Sequence, residues 1–218
     1  MDGLEKRADI AGFEARRAES AKNGKLRGLG INSYIEACGI APSNLVGVLG
    51  SRVGLYDAAT VRVNATGNIS VMVGAHSHGQ GHETAFPQVV ADMLGVDPMS
   101  VEIVHGDTSK IPFGMGTYGS RSLAVCGSAV FRATEKIIKK ATLIAAHMME
   151  DKPENVDFED GAFSVKGTNK KVNFGDVALK AYIPHDFPIE DIEPGLEDTA
   201  FYAPANFTYP SGAYACEV

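Results

Sequence analysis

Two glycine-studded segments constrain this chain more than any other feature: His76-Ser77-His78-Gly79-Gln80-Gly81-His82-Glu83 and Gly114-Met115-Gly116-Thr117-Tyr118-Gly119-Ser120-Arg121-Ser122. Each follows a strand-like run and precedes an amphipathic, helix-like run, so strands and helices must alternate around them. A strand-to-helix junction turns several backbone N–H groups, and the positive end of a helix dipole, toward one spot. That arrangement suits an anionic ligand. One such loop is a weak signal, but two, separated by a strand and a helix, point to a large anionic cofactor gripped from two sides.

Periodicity fills in the elements around the loops. Asp9 is placed to cap a helix from Ile10 to about Lys22, closed by Asn23-Gly24. Leu26 to Glu36 reads as a strand, whereas Pro42 to Asp57 has no assignable pattern. Thr60-Val61-Arg62-Val63 and Ile69-Ser70-Val71-Met72-Val73 alternate around a glycine-containing turn and predict a β-hairpin. Thr84 to Leu94 predicts a helix with Phe86, Val89, Val90 and Met93 on one face, stopped by Gly95. Val101 to His105 is the next strand, and a long helix runs from about Val125 to Met149, burying Val130, Ala133, Ile137, Ala141, Ile144 and Met148. Asn155 to Val165 is a hairpin turning at Asp160-Gly161, and Phe174 to Tyr182 is a short helix capped by Asn173. Pro184 to Pro210 reads as a proline-rich loop, and Gly212 to Val218 as a strand. The expected fold class is α+β, with hairpins and single strands interleaved with helices.

Composition limits what such a fold can do. The 218 residues suffice for one domain or two small lobes, and 44% hydrophobic with 22% charged residues is ordinary for a globular protein. A net charge of -7 with dispersed Lys and Arg argues against a nucleic-acid surface. No apolar run approaches the roughly 20 residues of a membrane span, and no signal-peptide core is present, so a cytoplasmic location is expected. The three cysteines, Cys38, Cys126 and Cys216, are too far apart for a CxxC metal site and are expected to be buried thiols.

In the first loop, Gly79 and Gly81 permit close ligand approach, and the Gln80 carboxamide can both donate and accept. A plain strand-to-helix turn with an exposed polar residue also explains it. His76, His78 and His82 can be drawn as metal ligands, but no further ligand set is evident and loop or helix-start hydrogen bonding accounts for them better. In the second loop, Thr117, Tyr118, Ser120 and Ser122 crowd hydroxyls around Arg121, whose guanidinium can pair with phosphate oxygens. A solvated Ser/Gly turn is the alternative. The segment is neither a Walker A loop nor a GxGxxG fingerprint, and no nucleophile–base pair is assignable, so no catalytic residue and no metal ligand is named.

Taken together, Gly79-Gln80-Gly81-His82-Glu83-Thr84, Gly106-Asp107-Thr108 and Gly116-Thr117-Tyr118-Gly119-Ser120-Arg121-Ser122 resemble the large subunit of the xanthine dehydrogenase/aldehyde oxidase family of molybdenum hydroxylases. The resemblance is strongest to the bacterial branch containing aerobic carbon monoxide dehydrogenase. Lys25-Leu26-Arg27-Gly28-Leu29-Gly30, Tyr34-Ile35-Glu36 and Tyr214-Ala215-Cys216-Glu217-Val218 fit it as well, so it covers nearly the whole chain. It implies a molybdenum–molybdopterin cofactor, in the cytosine dinucleotide form usual in bacteria. Gly79 and Gln80 match the family's glycine–glutamine contact, and Gly119, Ser120, Arg121 and Ser122 match the loop that wraps the pterin and phosphates, largely through backbone N–H groups.

The implied activity is oxidative hydroxylation of carbon monoxide, an aldehyde or an N-heterocycle with water-derived oxygen. A glutamate acts as base, and electrons leave through two [2Fe–2S] clusters to FAD. The expected partners are the remainder of the large subunit, an FAD-binding medium subunit and a [2Fe–2S] small subunit. Family large subunits are several times longer. The Gly-x-Gly-Glu segment that carries the glutamate has no counterpart here, nor does the substrate loop that bears a copper-binding cysteine in the carbon monoxide branch. The chain is therefore expected to be a single partial molybdopterin-binding domain over 1–218, truncated at both ends and inactive alone. The alternative is a non-catalytic remnant or assembly partner that keeps the fold without cofactor.

Overall fold

The structure is a computed structural model that describes residues 2–40, 42–183 and 185–218. In chain order it contains α1 (Asp2–Arg7), α2 (Phe13–Lys22), β1 (Leu29–Ile35), α3 (Ser43–Val48), β2 (Asp57–Val63), β3 (Ile69–Val73), α4 (His82–Leu94) and β4 (Val101–Val104). There follow α5 (Ser128–Met148), β5 (Val156–Glu159), β6 (Ala162–Val165), β7 (Lys171–Asn173), α6 (Phe174–Lys180), β8 (Leu196–Tyr202) and β9 (Ser211–Glu217). The mixture of helix and sheet is the α+β class the sequence predicts. The chain divides into two compact units, one made of residues up to Cys38 together with Thr208–Val218, the other of Gly39–Phe207.

In the terminal unit β1 and β9 form an antiparallel ribbon, from Leu29 opposite Glu217 to Ile35 opposite Ser211. Asp9 opens a single 3-10 turn whose Gly12 N–H it accepts, and α2 follows directly, so the predicted helix is present with a kinked start. Arg16 reaches Glu217 through Nε (2.9 Å) and Nη2 (2.6 Å), and Arg27 Nη1 adds a third bond at 2.5 Å. Those two cations hold the Glu217 carboxyl down at about 2. The residue is a structural anchor for α2 and not a base in waiting.

The larger unit is built on a four-stranded mixed sheet in the order β4-β3-β2-β8. β2 and β3 are the predicted hairpin, in register Ala59↔Val73, Val61↔Val71, Val63↔Ile69. Residues directly opposite share a face. All six are sealed from solvent, because α4 and α5 cover that face. β3, α4 and β4 form a parallel crossover unit. α4 ends where Gly95 turns left-handed (φ 63), as predicted, and its buried stripe is Phe86, Val90 and Leu94. α5 buries Val130, Ala133, Ile137, Ala141 and Ile144, each large aliphatic worth roughly 1.5–3 kcal/mol on burial.

The Asp160-Gly161 hairpin is also as predicted, with both residues at positive φ. It gains a third strand, β7, and its Phe158 and Phe163 rings cluster with Phe174 of α6. Asn173 occupies the N-cap of α6 as expected, but its side chain makes no capping bond.

Two expectations fail. The predicted loop from 184 to 210 contains β8, paired antiparallel along all of β2 from Asp57↔Tyr202 to Val63↔Leu196; Pro184 itself lies outside the described residues. The inward-facing row Leu196, Asp198, Ala200 is interrupted by a charge, which hides the alternation; Lys136 of α5 neutralises Asp198 at 3.0 Å. Of the three thiols expected to be buried, Cys38 and Cys126 are, while Cys216, on β9, is exposed. No helix among the described residues is long and apolar enough to cross a membrane.

Candidate functional site

The two glycine loops meet side by side. Gly74 and Gly114 face each other so closely that a Cβ on Gly74 would stand 2.4 Å from the Gly114 Cα. Only hydrogen at both positions allows that approach. Thr117 then ties the loops together: its Oγ1 accepts from the His76 N–H at 3.0 Å and bonds the Ser122 hydroxyl at 3.0 Å.

Each loop ends on a helix N-terminus. Gly81, left-handed at φ 79, precedes α4, and its carbonyl accepts from the N–H groups of Thr84 and Ala85. Arg121 precedes a wide π-helical turn, Ser122–Gly127, that runs into α5. Such turns recur at functional sites because they displace a helix's first residues from the usual spacing. The sequence reading starts this helix at Val125 and misses the turn.

Between the two N-termini lies a cavity of about 470 Å³ lined by Gln80, His82, Phe86, Tyr118, Ser120 and Ser122, among others. Hydroxyls and a carboxamide line it together with apolar Phe86 and Leu123. That mixture suits a flat heterocycle with an anionic tail. At Gly79, Gly81 and Gly116, all at positive φ, nothing stands within 4 Å of where a Cβ would be. The bare backbone there is open to a ligand. His82 is buried and stacked on Phe86, and its Nδ1 has no hydrogen-bond partner. Burial pushes its imidazole below the usual pKa, so it is neutral at pH 7. A larger depression of about 660 Å³ around His147, Asp151 and Asp186 has no comparable pair of helix starts.

The model matching this chain over residues 3–218 is that of the molybdopterin cofactor-binding domain. The chain belongs to the molybdopterin cofactor-binding domain family. It is 40% identical to the carbon monoxide dehydrogenase large chain of Hydrogenophaga pseudoflava, over 99% of this chain and 27% of that one. Among solved structures it resembles the Cu,Mo-CO dehydrogenase, with TM-score 0.83 and 37% identity over 100% of this chain and 28% of the other. Quinoline 2-oxidoreductase from Pseudomonas putida 86 is similar at the same TM-score, 0.83, with 32% identity over 99% of this chain and 27% of that one. The chain thus spans little more than a quarter of the relatives it matches.

Within this molybdopterin-binding domain, Gln80, Ser120, Arg121 and Ser122 all border the cavity. Gly79 and Gly119, both at positive φ, immediately precede two of these residues in the chain. Gly119 and Ser120 are consecutive left-handed residues (φ 54 and 50), and their carbonyls accept from Ile40 and Gly39. Gln80 turns its Oε1 back onto the His78 N–H.

The expectation for the Arg121 guanidinium is overturned. It is wholly buried and ion-paired to Asp57 at 2.8 Å, so it offers no phosphate clamp. Asp57 is the residue sequence reading missed; it stands 64 positions away and nothing local marks it. His105 was missed too. Its Nε2 meets Glu83 at 3.0 Å and its ring packs edge-on to His76. Among the described residues no three His, Cys, Asp or Glu side chains are grouped to hold a metal ion.

Proposed function

We propose that this chain holds the molybdenum–molybdopterin cofactor of a molybdenum hydroxylase, with Gly79, Gln80, Gly119, Ser120, Ser122 and the backbone of Arg121 as its contacts. One observation carries the reading: a cavity flanked by two helix N-termini, whose lining residues Gln80 and Thr117 adjoin the open glycine backbone of Gly79, Gly81 and Gly116. The helix starts and hydroxyls supply donors for phosphate oxygens, while Gln80 and the neutral His82 offer partners to a pterin edge. When bound, the molybdenum centre supplies the two-electron chemistry of oxidative hydroxylation with water-derived oxygen. The chain's own residues bind, orient and shield.

The cofactor is assigned its cytosine dinucleotide form. FAD and [2Fe–2S] clusters are assigned to medium and small partner subunits, and the catalytic glutamate to the remainder of a large subunit. The 218 residues act as one partial domain and are inactive alone. Carbon monoxide, aldehydes and N-heterocycles are the substrate classes; relatives named for carbon monoxide and for quinoline share the same TM-score with this chain, at 37% and 32% identity. Its thiol cysteines fit a reducing, cytoplasmic setting.

The test is molybdenum and pterin content of the protein purified from molybdenum-replete cells together with its subunits. Gln80→Ala combined with Ser122→Ala removes two of the cavity's polar groups and is expected to lower both contents at least tenfold, about 1.4 kcal/mol. Unchanged content in the variant overturns this cavity as the cofactor's site, and none in the parent leaves only a fold without cofactor.

A further inference from the structure

Arg121 lies inside the loop that borders the cavity, yet all five of its N–H donors point into protein. Nε donates to the Ile40 carbonyl at 3.1 Å. Nη1 donates to Asp57 Oδ2 at 2.8 Å and to the Gly116 carbonyl at 2.8 Å. Nη2 donates to the carbonyls of Leu55 at 3.0 Å and Tyr56 at 3.2 Å. Five is the full donor capacity of a guanidinium. The other carboxylate oxygen of Asp57 accepts from the Ala58 N–H at 3.0 Å, and both side chains are fully excluded from solvent.

Those acceptors belong to three separate stretches: Ile40, the approach to β2 at 55–57, and the loop itself at Gly116. The Gly39 and Ile40 N–H groups return two bonds to Ser120 and Gly119. Tyr118, on the cavity wall, lays its ring 5.5 Å from the Arg121 guanidinium carbon. Thr117, Tyr118, Ser120 and Ser122 therefore all sit within a few residues of a point pinned to a central strand. A buried ion pair gives little net stability over an apolar pair of like volume. Its distinguishing property is directional: it dictates where each bonded carbonyl must be.

We propose that Asp57 and Arg121 are positioning residues whose paired side chains form a strut, fixing the curvature of 116–122 so that its hydroxyls and amides face the cavity while neither of the two side chains touches the ligand. The inference rests on the cofactor reading for what the cavity holds, but not for the strut.

The test uses two variants of the protein purified with its subunits. Asp57→Leu with Arg121→Met removes both charges at similar volume. Arg121→Lys keeps the ion pair but has three donors and no planar fork. Two readouts are taken: amide hydrogen exchange along the chain, and molybdenum and pterin content. In the double variant, exchange at 116–122 is expected to rise about tenfold or more while α5 and β2 stay protected. Content is expected to fall by a similar factor, with Arg121→Lys intermediate in both. Unchanged loop exchange overturns the proposal, and so does loss of protection throughout the larger unit, which would make the pair ordinary core. If the double variant does not fold, Arg121→Lys decides by the same criteria. Faster loop exchange in protein whose parent carries no molybdenum or pterin upholds the strut and removes the cofactor reading instead.

Discussion

Burial, more than residue type, decides what each reactive side chain here can do. Cys126 and Cys216 carry the same thiol. Cys126 is a fully buried member of the π-helical turn, and desolvation, with Asp57 nearby, pushes its pKa up to about 12. Cys216 faces solvent from β9. The thiolate is the nucleophile, so one thiol of the three is expected to react rapidly with a maleimide at pH 7, and all three in denaturant. Mass spectrometry of the labelled peptide checks which; native labelling at Cys126 would mean that its own π-helical turn opens. The same principle shows why the site was only partly legible. Glycines at 79, 81, 116 and 119 announce a bare backbone, and clustered hydroxyls announce an anion. Arg121 looks identical in sequence whether it faces a phosphate or a buried carboxylate, and its partner Asp57 is a single acidic residue at the start of a strand, 64 residues away.

At the scale of elements, α2 is held to the β1–β9 ribbon chiefly by charge, since it buries no residue. Glu217 is the centre of that arrangement, bound by Arg16 and Arg27. Its pKa is depressed from 4.5 in the unfolded chain to about 2. The sign follows by linkage: the unfolded form takes up a proton first, so the stabilisation is complete above pH 4.5 and is lost as pH falls through about 2. Exchange protection in β9 is therefore expected to decline across that window, and Glu217→Gln should flatten the decline. A wild-type profile already flat would remove Glu217 as the anchor. Elements held by apolar periodicity were legible in advance: the β2–β3 hairpin, α4 with its Gly95 stop, and α5. Elements defined by charge or by neighbours were not. β8 reads as loop because Asp198 interrupts its inward row, and it becomes a strand only where Lys136 meets that charge and β2 offers a partner along its whole length.

At the scale of the whole molecule, the two units differ in what they can bury. The larger has sheets covered by helices. The smaller rests on a two-stranded ribbon, a structure marginal in water unless another layer or strand covers it. Both outer edges of that ribbon lack a strand among the described residues, and Ile31, Ile35, Tyr34 and Tyr214 are exposed on its faces. A second apolar surface runs through Val48 and Leu49, 86% and 77% exposed. Open edges and apolar faces recruit like surfaces from other chains. The net charge of -7 opposes this, but only over a Debye length of about 10 Å at 0.1 M salt. The isolated chain is therefore expected to self-associate, and more strongly as salt screens the repulsion. Light scattering across concentration and salt measures it. Ile31→Lys with Ile35→Lys should lower the mass if the ribbon is the contact, and Val48→Lys with Leu49→Lys if the second surface is. A mass of one chain throughout, in high salt as in low, would mean that the ribbon needs no second chain, and the charge on α2 would then have to supply what burial does not.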